Sequence, residues 1–118
     1  MDQVIEMVED ARAQGMKIGA NMYTYTAGAT GLDAAMPTWV QAGGQDAWFE
    51  RLRDPAIRAR VVDEMQRPGD DWENLFYGAG PEGMLVVQFK NDDLKKYVGW
   101  TIAQVAEDRG TSPADTII

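Results

Sequence analysis

An α+β fold is what this sequence predicts, and three observations carry it. Apolar residues recur at helical spacing in several windows, capping residues mark helix starts, and three short runs carry strand-like residues. The length of 118 residues suits one small domain, and a hydrophobic fraction of 45% is ordinary for a folded globular chain.

The first helix is predicted over Asp2 to Gln14. Val4, Val8 and Ala11 recur at helical spacing, Ile5 and Met7 widen the stripe, and Gly15 supplies a stop. Lys17 to Tyr25, "KIGANMYTY", then reads as a strand. Ile18, Ala20, Met22 and Thr24 share one of its faces; Gly19, Asn21, Tyr23 and Tyr25 share the other. Pro37 to Ala42 predicts a short helical turn broken by Gly43-Gly44, and Gln45 to Arg53 a helix with Ala47, Trp48, Phe49 and Leu52 as its apolar face. Asp54-Pro55 opens the next helix, because Asp caps and Pro fits the first helical position. Ile57, Val61 and Met65 continue it at i, i+4 and i+8 until Pro68-Gly69.

Glu73 to Gly80 and Met84 to Lys90 read as two short strands, either a hairpin or separate members of a larger sheet. Asn91 to Tyr97 reads as an irregular loop with a helical turn. Thr101, with Gln104 three residues on, forms a capping box for a helix through Asp108, and Gly110 ends it. Ser112-Pro113-Ala114-Asp115 opens a last helix with barely one turn before Ile118. A single turn bears the nucleation cost with little return, so the expectation is an internal segment of a longer chain.

Composition narrows the function. Nineteen acids against 11 bases give a net charge of −8, which disfavours nucleic acid and anionic membranes as partners. With no cysteine and no histidine, disulfides, thiolate metal sites and the commonest metal ligand and general base are excluded. No apolar run is long enough to span a bilayer. The acidic, amphipathic N-terminus is unlike a secretory leader, so the expected location is cytoplasmic.

Four strings, in order, carry a resemblance. "YTYTAGATGLDAAMPTW" (Tyr23 to Trp39) resembles the Tyr-Pro-Tyr-Thr-Ala-Gly-Ser-Thr-Gly-Leu stretch of the D-aminoacylases, the N-acyl-D-amino-acid deacylases of the amidohydrolase superfamily. Gly43-Gly44 and "RLRDPAIRARV" (Arg51 to Val61) are similar to the next part of that family's sequence. "KKYVGWTIAQVAEDRGTSPADTII" (Lys95 to Ile118) is similar to its Tyr-x-Gly-Lys-Thr-Leu segment and the helix after it.

The resemblance implies a longer parent, a metal-dependent (β/α)8 barrel that hydrolyses the amide of N-acyl-D-amino acids. Zinc held by His and Cys ligands activates the water there, and an Asp works as acid and base. Those histidines precede the matched region and the Asp comes after it, so no catalytic or metal residue falls in this chain. Residues 1–26 would be a barrel helix and strand, residues 27–88 a lid-like insertion, and residues 89–118 a return towards the barrel. In the family the first Tyr and the Ser of the opening run face substrate. Tyr23 matches the first, with a hydroxyl suited to a substrate carboxylate or developing oxyanion. The Ser is Ala29 here and the Pro is Thr24, so Thr30 would substitute only in part for the lost hydroxyl. The chain alone should be inactive, bind no zinc, and self-associate to cover surfaces made for the barrel.

The residues also admit plainer readings. Alternation of Tyr23 and Tyr25 with Thr24 and Thr26 is ordinary strand chemistry. Trp39, Trp48 and Trp72, and Met36, Met65 and Met84, read as core. Asp70, Asp71 and Glu73 look like an oxygen-rich metal site, but a solvated loop explains them better. Gly78-Ala79-Gly80 lacks the Lys-Ser/Thr of a phosphate loop. The alternative to the deacylase segment is a free-standing acidic binding or interaction domain without catalysis.

Overall fold

Capping chemistry decides most of the architecture. The computed structural model describes residues 1–118 and contains seven α-helices and two 3-10 turns. Helix α1 spans Asp2–Ala13, α2 Thr38–Gln41, α3 Gln45–Arg53, α4 Pro55–Met65, α5 Leu75–Gly83, α6 Ile102–Arg109 and α7 Pro113–Ile117. The 3-10 turns are Leu32–Ala35 and Asp92–Tyr97.

The expected α+β class is overturned: the chain holds no strand and no sheet, only an isolated antiparallel bridge between Leu85 and Thr101. Lys17 to Tyr25 forms no ladder, because nothing in the chain lies beside it to accept its amides. Glu73 to Gly80 is not a strand either. The Asn74 side chain accepts the Tyr77 amide and starts α5, and Phe76 is buried from that helix. Gly80, at φ +67°, breaks the helical path so that Pro81 can open a further turn. Met84 to Lys90 keeps an alternating pattern around one point, with Val86 buried between exposed Leu85 and Val87, but gains only the single bridge. No helix–strand pieces of a barrel are present.

Other starts and stops match the residues that announce them. The Asp54 carboxylate accepts from the amides of Ala56 and Ile57 at the head of α4. Thr101 and Gln104 form the reciprocal capping box of α6, and the Ser112 hydroxyl accepts from the Asp115 amide at α7. Gly43 and Gly44, at φ +87° and +89°, turn the chain between α2 and α3. The Arg51 guanidinium then closes the end of α2 by donating to the carbonyls of Val40, at 2.8 Å, and Ala42.

One core joins these helices. Val40 from α2, Leu52 from α3, Val61 and Met65 from α4, Phe76 from α5, Ile102 and Val105 from α6 and Ile117 from α7 meet in it. Each such side chain contributes about 1.5–3 kcal/mol by leaving water. Met36 is buried there too, with Trp39, Trp48 and Met84 packed at the margin. Arg58 of α4 and Asp115 of α7 add an ion pair at 2.9 Å across the outside of that junction.

Residues 1–31 contribute nothing to this core. No residue of α1 is buried, and every residue from Arg12 to Asp33 is exposed. The radius of gyration, 18.6 Å, exceeds the roughly 13 Å of a compact chain near this length because this arm stands off the body. No helix is long and apolar enough to cross a membrane.

Candidate functional site

The run from Tyr23 to Thr30 lies on the arm, and its geometry is open. Tyr23 is 68% exposed. Its hydroxyl donates to the Ala27 carbonyl at 3.1 Å, and its ring meets Tyr25 edge-on at 5.4 Å between centroids. Ala29 and Thr30 come next, both exposed, and no side-chain hydrogen bond engages Thr30. The local curl therefore brings Tyr23 to the start of the Gly-Ala-Thr loop, but no wall from the body closes around the three residues.

Two grooves stand out on the body. The first, about 260 Å³, is lined by Trp39, Arg60, Glu64, Arg67, Asp71 and Trp72 among others. Glu64 organises it. Trp39 Nε1 donates to one carboxylate oxygen at 2.7 Å and Arg60 Nε to the other at 2.7 Å. The Arg60 guanidinium also sits 4.1 Å from the centre of the Trp39 ring. Burial pushes the Glu64 carboxyl up, but the two hydrogen bonds and the charges of Arg60 and Arg67 outweigh it and hold it below its ordinary value. An ionised, doubly engaged carboxylate is a latch between α2 and α4, not a proton donor at neutral pH.

The second groove is shallow, about 350 Å³, and runs along α6 past Trp100, Gln104, Glu107 and Asp108. Tyr97 donates its hydroxyl to Asp108 at 2.7 Å and, with Lys96, holds that carboxyl below its ordinary value. Neither groove contains Tyr23, Ala29 or Thr30.

Asp70, Asp71 and Glu73 are exposed, and nowhere do three or more acids converge as a metal-binding group. Zinc prefers His and Cys donors, and this chain has neither. The residues present do not fit the zinc of a deacylase.

Trp39 packs on the core as its residue type predicts, and it has a second role that no local spacing announces. Its ring packs on the core while its N–H reaches Glu64, 25 positions away. The i,i+4 spacing of Arg60 and Glu64 was the one local signal of that cluster.

No family model, no curated protein and no solved structure matches this chain.

Proposed function

We propose that this chain is a segment of a metal-dependent amidohydrolase acting on N-acyl-D-amino acids, supplying a substrate-side lid and pocket wall and no reacting group. The observation that carries the reading is the placement of Tyr23, Ala29 and Thr30. The run that resembles the deacylases' substrate-facing stretch sits exposed on an arm, outside both of the main grooves of the body. A small substrate held there needs walls from elsewhere in a larger protein. The helical body, residues 32–118, is then the cover that excludes water from the bound amide.

Tyr23 is the binding residue of this reading. Its present bond to Ala27 is solvent-exposed, and such a bond is worth about 0.5–1.5 kcal/mol net, so a charged acceptor displaces it readily. The hydroxyl then donates to the substrate carboxylate. Zinc ligands and the acid/base lie on other parts of the protein, because this chain has no donor set for the one and no suitably poised group for the other.

The test is to enrich the native protein from its source cells with antibodies to residues 32–118 and assay N-acetyl-D- against N-acetyl-L-amino acids. D-selective hydrolysis that a chelator abolishes supports the reading; an inactive preparation overturns it. A second reading, an acidic binding module without catalysis, draws on the continuous core of residues 32–118. It predicts that the native polypeptide ends close to this chain and hydrolyses neither enantiomer.

A further inference from the structure

The groove beside α2 and α4 holds an arginine that is fixed on two sides and open on the third. Arg60 donates its Nε to Glu64 at 2.7 Å and lays its guanidinium 4.1 Å from the centre of the Trp39 ring. Trp39 is itself held, because its N–H donates to the other oxygen of Glu64. The two terminal nitrogens of Arg60 have no partner in the chain. A guanidinium held in this way presents a planar pair of donors, and a carboxylate matches it with two parallel hydrogen bonds. Little side-chain freedom is left for it to lose on binding. Arg67, the other cation of the lining, is already paired with Asp63 at 2.9 Å. The same lining carries Asp70 and Asp71, and neither joins an ion pair. Gly69 shapes their loop: a Cβ there would collide with the Trp72 carbonyl and come within 3.1 Å of its Nε1. Trp72 therefore folds back over Gly69 and joins the two aspartates in the groove wall.

We propose that this groove binds a free α-amino acid with an apolar side chain: its carboxylate on Arg60, its ammonium on Asp70 and Asp71, and its side chain against Trp72. Charge balance selects the ligand. The lining holds three carboxylates, Glu64, Asp70 and Asp71, against the guanidinium groups of Arg60 and Arg67. An anion alone meets an excess of like charge, and a cation alone leaves the Arg60 fork unused. A zwitterion satisfies both. Size selects it too. The groove, about 260 Å³, lies below the roughly 300–1,000 Å³ of pockets that take drug-sized molecules. Glu64 is a positioning residue here, since Trp39 and Arg60 occupy both of its oxygens. The inference does not rest on the deacylase reading, because Tyr23, Ala29 and Thr30 lie outside the groove. The two meet at one point. Cleaving an N-acyl amino acid with water gives a carboxylic acid and a free amino acid, and the new ammonium is the group that Asp70 and Asp71 recognise. The groove then takes the product and refuses the substrate.

The experiment is isothermal titration calorimetry of the full chain at neutral pH with leucine, N-acetylleucine and leucinamide, each in its D and L forms. Leucine bears both charges, N-acetylleucine lacks the ammonium and leucinamide lacks the carboxylate. Leucine of at least one hand is expected to bind, and the two analogues of that hand to bind about tenfold more weakly or worse, having lost charge-assisted hydrogen bonds. Binding should shift the indole N–H resonance of Trp72 and leave that of Trp100, in the other groove, unchanged. An Asp70→Asn/Asp71→Asn variant alters only exposed side chains, so it should keep its helical circular dichroism and lose the preference for leucine over N-acetylleucine. Leucine that fails to bind in either hand at millimolar concentration overturns the inference, as does N-acetylleucine that binds equally well, or a response confined to Trp100. The comparison of ligands on the wild type decides the matter even where the variant misfolds. These ligands report binding alone, so their failure leaves the deacylase reading intact, and an inactive native protein leaves the groove's ligand intact.

Discussion

The side-chain nitrogen of Asn74 lies 2.9 Å from the carbonyl oxygen of Met65, the last residue of α4, while its side-chain oxygen accepts from the Tyr77 amide at 3.0 Å. The same nitrogen approaches the Arg67 carbonyl at 2.8 Å. One amide, 8% exposed, thus closes the end of one helix and opens the next. Replacing it by Ala removes an N-cap and strands the buried Met65 carbonyl, a loss of about 2–3 kcal/mol. Asn74→Asp keeps the cap but sets a carboxylate against carbonyl oxygens, and should cost at least as much. Urea unfolding of the two variants checks this; unchanged midpoints would refute the role given to Asn74.

Met65 itself is fully buried, whereas Met7 on α1 is 71% exposed. Met65→Ala should cost about 2–5 kcal/mol, and Met7→Ala should stay within about 0.5 kcal/mol. Equal losses at the two sites in urea unfolding would mean that α1 packs on the body in solution.

Acid should weaken the α2–α4 latch. The Glu64 carboxyl is held below its ordinary value in the fold, so its contribution is complete above the unfolded pKa of about 4.3 and disappears as pH falls through the folded value. The stability gap between wild type and Glu64→Gln is therefore expected to be constant from neutrality to about pH 5 and to close below it. A gap that widens on acidification reverses the sign and contradicts the assignment. Comparing the two chains at each pH cancels the effect of the large net negative charge.

In dilute solution, trypsin should cut first on the arm, at Arg12 and Lys17. Lys17 lies in a segment without backbone pairing, and local opening there costs little. The product beginning near residue 18 should resist further digestion, since Arg51 and Arg58 sit on packed helices with their guanidinium groups engaged. Early cleavage at Arg51 or Arg58 would contradict a core confined to residues 32–118.

Local chemistry made much of the helical body legible. Asp54-Pro55, Thr101 with Gln104, and Ser112-Pro113 each act through atoms at most three residues apart, so a short window contains the whole cause. Gln45 to Arg53 results from the turn at Gly43-Gly44 and one apolar face. The strands failed for a different reason. Whether alternation becomes a strand depends on a neighbour, and Lys17 to Tyr25 has none in this chain. Around Phe76, a short window could not show that the Asn74 amide reaches back to Met65 and commits the following residues to a helix. The Trp39–Glu64 bond spans 25 positions and was invisible for the same reason. The residues singled out for substrate were identified by resemblance alone; nothing in their spacing announces that they lie on an exposed arm.

The most direct test of the central claim is the effect of Tyr23→Phe on the native enriched protein, measured as kcat/KM for an N-acetyl-D-amino acid. The account predicts a fall of about 10- to 100-fold, the loss of one hydrogen bond to a charged substrate group, with no activity in the isolated 118-residue chain. Hydrolysis unaffected by losing the Tyr23 hydroxyl, or zinc-dependent cleavage by the isolated chain, would contradict it.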